Sequence, residues 1–218
     1  VVILTLSALA GSARAVDIVN RKSGKAAQGD ITAIAQQSVS VKSGIGKMIE
    51  VPTSVETDFK CTPEEIESAI TPNTKAIMLN TPSNPCGTMY TPDELRAIAK
   101  MMERHPNIYI VSDEIYERLI YSDIEHLSLG SIPEIAGQVI TINGLSKAYA
   151  MTGWRVGYVC APEPIVKAMN TLQSQINSSI TSFCYATIPV ALGMNDEVES
   201  MRQIFAKRSA LMFELIQK

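Results

Sequence analysis

One lysine and one arginine lie close together in the chain, just after a run of apolar residues. The segment 140–158 reads ITINGLSKAYAMTGWRVGY, and it places Lys147 after the apolar run and Arg155 eight residues further on. A lysine can form an imine with a carbonyl compound, and an arginine nearby can bind an anion. Most lysines lie on solvated surfaces, so this pair by itself predicts chemistry only weakly.

Two other apolar runs end in polar residues in the same way. KAIMLN leads through a turn to Asn84, and NIYIVS leads directly to Asp113 and then to Tyr116. Such runs are typical of buried parallel strands. Ligands of open α/β sheets bind beyond the carboxyl ends of the strands, so we expect these residues and Lys147 to line one cleft.

An amine, a carboxylate, a phenol and an amide in one cleft match the chemical groups of pyridoxal phosphate. Its carbonyl needs a lysine, its ring nitrogen a carboxylate, its phenolate oxygen hydrogen-bond donors and its phosphate an arginine. Taken singly, each residue also has a structural explanation. Asp113 can cap a helix, Asn84 before Pro85 can build a turn, Tyr116 can belong to the core, and Arg155 can be a surface cation.

Three segments together resemble the signature sequences of a known family. SNPCG at 83–87, SDEIYERLIY at 112–121 and NGLSKAYAMTGWRVGY at 143–158 stand in the family's order. They resemble the class I aminotransferases, which are pyridoxal-phosphate enzymes of fold type I, and most of all the bacterial aspartate aminotransferase subgroup. The resemblance spans about 47–218 and implies an α/β fold, with a mostly parallel sheet flanked by helices.

The resemblance implies a role for each of the five residues. Lys147 would hold the cofactor as an internal aldimine and then move a proton between the substrate and the cofactor. Asp113 would pair with the ring nitrogen, and Tyr116 and Asn84 would hydrogen-bond the phenolate oxygen. Arg155 would bind the phosphate. Asn84 would also touch the carboxylate of the substrate.

Other positions depart from the family pattern or match it less closely. Cys86 stands where threonine is usual, and Gly144 stands where many relatives have a phosphate-binding serine. Ser146, directly before the lysine, is therefore a candidate phosphate ligand. Near the start, the pattern of strand, turn and helix resembles the family's glycine loop, in which Gly11 and Ser12 would meet the phosphate.

The amino-terminal segment 1–46 matches the family poorly. Relatives place an aromatic residue on the cofactor ring from this part of the chain, whereas no Phe, Trp or Tyr precedes Phe59. The start VVILTLSALAGSARA also resembles the end of a signal peptide, although it lacks basic leading residues. Export is therefore the alternative to the cytoplasmic location that we expect.

Composition narrows the range of partners. The chain has 218 residues, 46% of them hydrophobic, and a net charge of −3, which suits a globular α/β chain and gives no signal for nucleic acid. No apolar stretch approaches the ~20 residues that cross a bilayer, so we expect no membrane partner. The four cysteines form no CxxC pair, so we expect neither a disulfide framework nor a metal site.

The coarse pattern alternates helices and strands within one domain. Strands are expected at 75–80, 107–112, 138–143 and 155–160, and helices at 62–70, 92–104, 162–175 and about 197–217. Thr62 and Thr91, each before a proline, are expected to cap two of the helices. The alternation indicates a mostly parallel sheet wrapped by helices.

The resemblance also implies a domain organisation and an activity. Residues 1–218 would form the large, cofactor-binding domain of a homodimer, without the smaller domain whose arginine grips the substrate. The expected reaction moves an amino group between an amino acid, with aspartate favoured, and a 2-oxo acid. Alternatives are an aromatic aminotransferase or carbon–sulfur lyase on the same scaffold, or a non-catalytic domain that binds pyridoxal phosphate.

Overall fold

A computed structural model of the chain describes residues 2–4, 19–20, 25–26, 48–176 and 178–217. Within these ranges, helices lie against a six-stranded sheet. The predicted class, a sheet flanked by helices, is confirmed, and the sheet has two more strands than the four predicted. Gly11 and Ser12 lie outside the described residues.

The main sheet consists of β1 (Val2–Leu4), β4 (Met48–Glu50), β5 (Ala76–Asn80), β6 (Tyr109–Asp113), β7 (Val139–Gly144) and β8 (Gly157–Cys160). Across the sheet these six strands follow the order β4-β1-β5-β6-β7-β8. Two shorter strands, β2 (Val19–Asn20) and β3 (Lys25–Ala26), pair with each other in a separate two-stranded sheet.

The centre of the sheet is parallel. Strand β6 pairs in parallel with β5 on one side and with β7 on the other, while β8 and β1 join antiparallel at the flanks. The predicted strands 75–80, 107–112 and 138–143 are therefore neighbours, and their carboxyl ends lie at one edge. The fourth predicted strand begins at Gly157 rather than at position 155.

In the described part of the chain, five α-helices accompany the sheet. They are α1 (Pro63–Ser68), α2 (Pro92–Met102), α3 (Glu163–Ile176), α4 (Ser182–Gly193) and α5 (Asn195–Ile216). As predicted, Thr62 and Thr91 cap α1 and α2, each accepting a hydrogen bond from a backbone N–H three residues on. The sequence did not predict α4, because it is apolar on most sides and carries Pro189 inside.

The pleat of the strands divides the core between the two faces of the sheet. Ile77 and Leu79 of β5 join the larger cluster with α1 and α2, whereas Ala76 belongs to a smaller cluster on the other face, against which Ile165 of α3 packs. Neighbouring strand residues point to opposite faces, so this division follows from the sequence.

The carboxy-terminal helices are packed less completely than α1 and α2. Helix α3 buries none of its residues, and α5 buries Val198 alone among its described positions. Large apolar side chains remain exposed on α4 and α5, among them Val190, Leu211 and Phe213. In the described part of the chain, none of the helices combines the length and the hydropathy that a membrane span requires.

Candidate active site

Strand register brings polar residues from three strands to one edge of the sheet. Asn80 of β5 lies beside Asp113 of β6, which in turn lies beside Ile142 of β7. Strand β7 then ends at Gly144, three residues before Lys147. The parallel register therefore places Asp113 and the turn that bears Lys147 at the same edge of the sheet.

Asp113 is a half-buried carboxylate, and no cationic side chain lies beside it in the described part of the chain. Its Oδ1 accepts a hydrogen bond of 3.2 Å from the backbone N–H of Ile115. Burial raises the pKa of Asp113 above its ordinary value, and the nearby charge of Glu114 adds to that rise, while the Ile115 hydrogen bond opposes it. A cationic ligand group would favour the ionised carboxylate here.

Asn84 lies in the turn that follows β5, and Asn80 fixes its backbone. The N–H of Asn84 donates to Oδ1 of Asn80 over 2.9 Å, and Nδ2 of Asn80 donates to the backbone oxygen of Asp113 over 3.3 Å. The Asn84 side chain itself is exposed. One amide side chain thus links the Asn84 turn to the end of β6.

Lys147 lies in a tight turn directly after β7. The buried side chains of Leu145 and Ala148 anchor this turn, while Lys147 remains exposed. Its Nζ lies 5.6 Å from the centre of the Tyr116 ring, which is within the range of a cation–π interaction. The structure therefore brings together the lysine and the phenol that the sequence indicated.

Helix α4 packs against the Lys147 turn. Cys184 and Ala191, seven residues apart on one helical face, form a cluster with Leu145 and Val156. Partly buried Ile188 joins the same cluster. The helix that the sequence did not predict is therefore the one that supports the turn bearing Lys147.

Arg155 lies at the end of the same connection, just before β8. Its Nη1 donates to the backbone oxygen of Thr152 over 2.9 Å, and its side chain is exposed. Its φ of 57° is left-handed, as is the 54° of Ala150 in the lysine turn. Non-glycine residues in this region cost about 1–2 kcal/mol each and cluster at functional sites.

Gly144 lies where β7 and β8 approach closely. A Cβ built at this position would lie 2.8 Å from the backbone oxygen of Val156 and 3.0 Å from Cα of Gly157. This geometry has no room for a serine at 144. Ser146 is half-buried, and its backbone oxygen accepts a hydrogen bond from Thr152 Oγ1.

Cys86 takes part in a small hydroxyl cluster beside Asn84. Its Sγ lies 2.9 Å from Ser83 Oγ and 3.6 Å from Thr88 Oγ1. Partial burial raises the pKa of the Cys86 thiol, but the hydrogen bonds outweigh it, so that the pKa is lower than usual. The cysteine thus occupies a polar position within the turn.

An open cleft of about 640 Å³ lies beside Arg155. Its lining includes Trp154, Arg155, Thr181 and Phe183. The rings of Trp154 and Phe183 meet edge to face, with their centres 5.9 Å apart. The exposed guanidinium therefore borders a space that can admit an anionic group.

Sequence reasoning did not single out Asn80 and Glu114. Asn80 ends a predicted strand, and its position before the turn was the available signal. Glu114 is 1% exposed, although acidic residues are rarely buried. No local pattern marked its burial, because its partners at 126 and 128 come from a later loop.

Comparisons with known proteins identify the family. The model of the family "Aminotransferase class I and II" matches residues 35–218, and so begins before the expected position 47. An aspartate aminotransferase of Geobacillus stearothermophilus is 43% identical over 176 residues, which are 80% of this chain and 44% of that protein.

Solved structures agree with the sequence relatives. An aromatic aminotransferase from Pyrococcus horikoshii matches with a TM-score of 0.71 at 35% identity, over 76% of this chain and 45% of that one. An aspartate aminotransferase from Thermus thermophilus, solved with maleate, matches with a TM-score of 0.70 at 40% identity, over 76% and 44%. The chain spans less than half the length of these proteins. With a family model that covers most of its residues and relatives above 30% identity, the chain belongs to the aminotransferase class I and II family.

Proposed function

We propose that residues 1–218 form the pyridoxal-phosphate-binding large domain of an aminotransferase. The enzyme would move an amino group between an amino acid and a 2-oxo acid. One observation carries this proposal: the exposed Lys147 and the half-buried, cation-free Asp113 stand at the ends of neighbouring parallel strands. That pairing suits a ligand with a carbonyl at one end and a basic ring nitrogen at the other.

The residues present fit this cofactor. Asp113 has a raised pKa and lacks a cationic partner among the described residues, so a ring N–H would supply the missing charge. Tyr116 and Asn84 would donate hydrogen bonds to the phenolate oxygen. Arg155 would bind the phosphate, with Ser146 as a further ligand and with Gly11 and Ser12 from the amino-terminal segment completing the cradle.

When bound, the cofactor supplies a carbonyl for the lysine amine and a ring that accepts electron density. The Lys147 amine would hold the aldehyde carbon of the cofactor, and once the amino group of the substrate had displaced it, the freed amine would carry the proton that leaves the α-carbon. Its exposed turn leaves the amine free to do both. The negative charge of Asp113 would keep a proton on the ring nitrogen, which would make the ring a better electron acceptor.

Aspartate is the amino acid that we favour, with a 2-oxo acid as acceptor. The name of the relative at 43% identity supports this choice, and so does maleate, a dicarboxylate, in the Thermus thermophilus structure. An aromatic amino acid is the second candidate, because the Pyrococcus horikoshii enzyme matches with a TM-score of 0.71. Asn84 would contact the carboxylate of either substrate.

We further propose a homodimer in the cytoplasm. The exposed apolar side chains of α4, including Phe183 and Val190, support an interface with a second copy. The four cysteines are free thiols, which suits a reducing compartment.

Borohydride trapping tests the covalent link directly. The chain is mixed with pyridoxal phosphate, reduced and digested, and the label is mapped to a peptide. We expect the label on Lys147 and its loss in Lys147→Ala. Lys167→Ala is the matched control, because Lys167 is exposed and forms an ion pair with Glu163. Label on other lysines alone would refute the proposal.

The substrate is tested on the protein mixed with pyridoxal phosphate, without borohydride reduction. Aspartate should yield oxaloacetate and abolish the absorbance of the bound aldehyde. Tyrosine should yield its own 2-oxo acid, 4-hydroxyphenylpyruvate, and abolish the absorbance more slowly. Asp113→Asn should slow the aspartate reaction at least about 100-fold, because the ring nitrogen loses its anionic partner. A faster reaction with tyrosine would favour the aromatic alternative.

A further inference from the structure

Two consecutive carboxylates leave the end of β6 on opposite faces. The backbone N–H of Glu114 donates to the oxygen of Ile142 over 2.9 Å, so the extended pairing continues one residue beyond Asp113. Side chains alternate along extended chain, which separates Glu114 from Asp113. Glu114 therefore lies on the same face as Ser112, opposite the proposed cofactor ligand.

Glu114 is buried and held by three side chains. Its Oε1 accepts hydrogen bonds from Ser112 Oγ over 2.9 Å and from Ser128 Oγ over 3.0 Å. Its Oε2 lies 3.1 Å from Nε2 of His126. A buried carboxylate is costly unless such partners surround it, so these contacts hold the side chain in one orientation.

These contacts join two parts of the chain that frame the site. Ser128 and His126 belong to the segment that leads back to β7. The residue directly after Ser128, Leu129, is fully buried in the larger core cluster. Glu114 thereby fastens the end of β6 to the core. The turn that bears Tyr116 lies in the chain between Glu114 and its partners His126 and Ser128.

The backbone of Asp113 is fixed on its other side as well. Its oxygen accepts hydrogen bonds from the N–H of Thr81 over 3.1 Å and from Nδ2 of Asn80 over 3.3 Å. A single peptide unit separates Asp113 from Glu114. Restraining the Glu114 side chain on one face therefore restrains the direction of the Asp113 side chain on the other.

We propose that Glu114 is a positioning residue for Asp113, acting through its hydrogen bonds to Ser112, Ser128 and His126. It touches no proposed ligand itself. The local restraint stands on the contacts above, and only its consequence for pyridoxal phosphate rests on the proposed function.

Amide exchange measured on the cofactor-free chain tests the restraint. The Ile115 N–H bonds to Asp113 Oδ1, so its exchange reports the Asp113 orientation. In Glu114→Ala we expect this amide to exchange about tenfold faster, the factor for losing roughly one hydrogen bond. The Leu95 amide inside α2 should keep its rate. Glu125→Gln, an exposed carboxylate beside His126, should change neither.

The conservative variant and the cofactor extend the test. Glu114→Gln should restore most of the protection of Ile115, because an amide oxygen still accepts from both serines. The affinity for pyridoxal phosphate should fall about tenfold in Glu114→Ala and recover in Glu114→Gln. If Glu114→Ala does not fold, Ser128→Ala removes one donor and should show the same changes more weakly.

Two results would overturn the inference. One is an unchanged Ile115 amide in Glu114→Ala, and the other is equal acceleration of the Ile115 and Leu95 amides, which would make Glu114 only a stabilising residue. A wild-type chain that binds no pyridoxal phosphate would instead refute the proposed function, and the amide rates would still decide the role of Glu114.

Discussion

Helices α1 and α2 differ sharply from the carboxy-terminal helices α3, α4 and α5. In α2, Leu95, Ile98 and Met102 are buried against the sheet, and a threonine caps the first turn. In α5, Leu211, Phe213 and Ile216 are all more than half exposed, and no side chain caps the helix. Helices α1 and α2 therefore bury their apolar side chains within the described chain. The exposed apolar side chains of the carboxy-terminal helices are suited to contact with another surface.

Paired leucine substitutions should show the largest difference between these regions. Leu95 is 1% exposed and Leu211 is 55% exposed. Leu95→Ala should lower the free energy of unfolding by about 3 kcal/mol through lost burial and a cavity. Leu211→Ala should change it by less than about 0.5 kcal/mol. Urea unfolding measures both, and equal losses would contradict the contrast.

The exposed apolar surface of α4 should mediate association. If copies pair through it, the double variant Phe183→Ser, Val190→Ser should weaken self-association about tenfold or more, since two large contacts are lost. Val55→Ser is the control, because Val55 is also exposed but lies near α1. Sedimentation velocity at increasing concentration measures the change. A double variant that associates as strongly as the wild type would place the interface elsewhere.

The two threonines that begin α2 and α4 allow a finer comparison. Thr91 accepts a hydrogen bond from the Glu94 N–H over 3.2 Å, whereas Thr181 makes no side-chain cap bond. Thr91→Ala should lower the free energy of unfolding by about 1 kcal/mol. Thr181→Ala should have little effect. Thermal unfolding of the two variants measures these changes. A larger loss of stability in Thr181→Ala than in Thr91→Ala would show that capping is not what separates the regions.

The smallest predicted effect concerns acid stability. Hydrogen bonds from Arg104 and His105 lower the pKa of Glu67 to about 2, and Arg202 and Gln203 do the same for Glu199 on α5. A lowered pKa stabilises the fold above the unfolded value of 4.5, and this contribution is lost as the pH falls towards 2.

Glu67→Gln should therefore flatten the loss of stability between pH 4.5 and pH 2. Its partners, Arg104 and His105, lie directly after α2, so the substitution also removes ion pairs that link α1 to the end of α2. Glu199→Gln breaks contacts within one helix and should matter less. Acid titrations followed by circular dichroism would detect the difference. A profile that Glu199→Gln flattens more than Glu67→Gln does would contradict the prediction.

The sequence predicted the parts of the fold that depend on local pattern. Short apolar runs predicted the three central strands, and threonines before prolines predicted the caps at Thr62 and Thr91. The end of the third run predicted the place of Lys147 after β7. It did not predict α4, whose buried stripe of Cys184, Ile188 and Ala191 is hidden among apolar residues on every side.

For the site, local pattern indicated which residues lie at the strand ends but not what supports them. Asn80 and Glu114 act through partners that are distant in sequence, at positions 113, 126 and 128. Such contacts depend on the pairing of strands and loops in three dimensions, which periodicity does not encode. The roles of the candidate ligands stay predictions until a cofactor is trapped.

The close approach of Gly144 to Val156 and Gly157 sets a separation that side chains cannot adjust. Lys147 and Arg155 both lie in the connection between β7 and β8. Lys147 follows the end of β7 at Gly144, and Arg155 precedes the start of β8 at Gly157. Backbone contact therefore sets the spacing of β7 and β8 beneath these two residues, because only glycine fits at position 144. A side chain larger than hydrogen at 144 would push apart the two strands whose connection carries the proposed cofactor lysine and phosphate ligand.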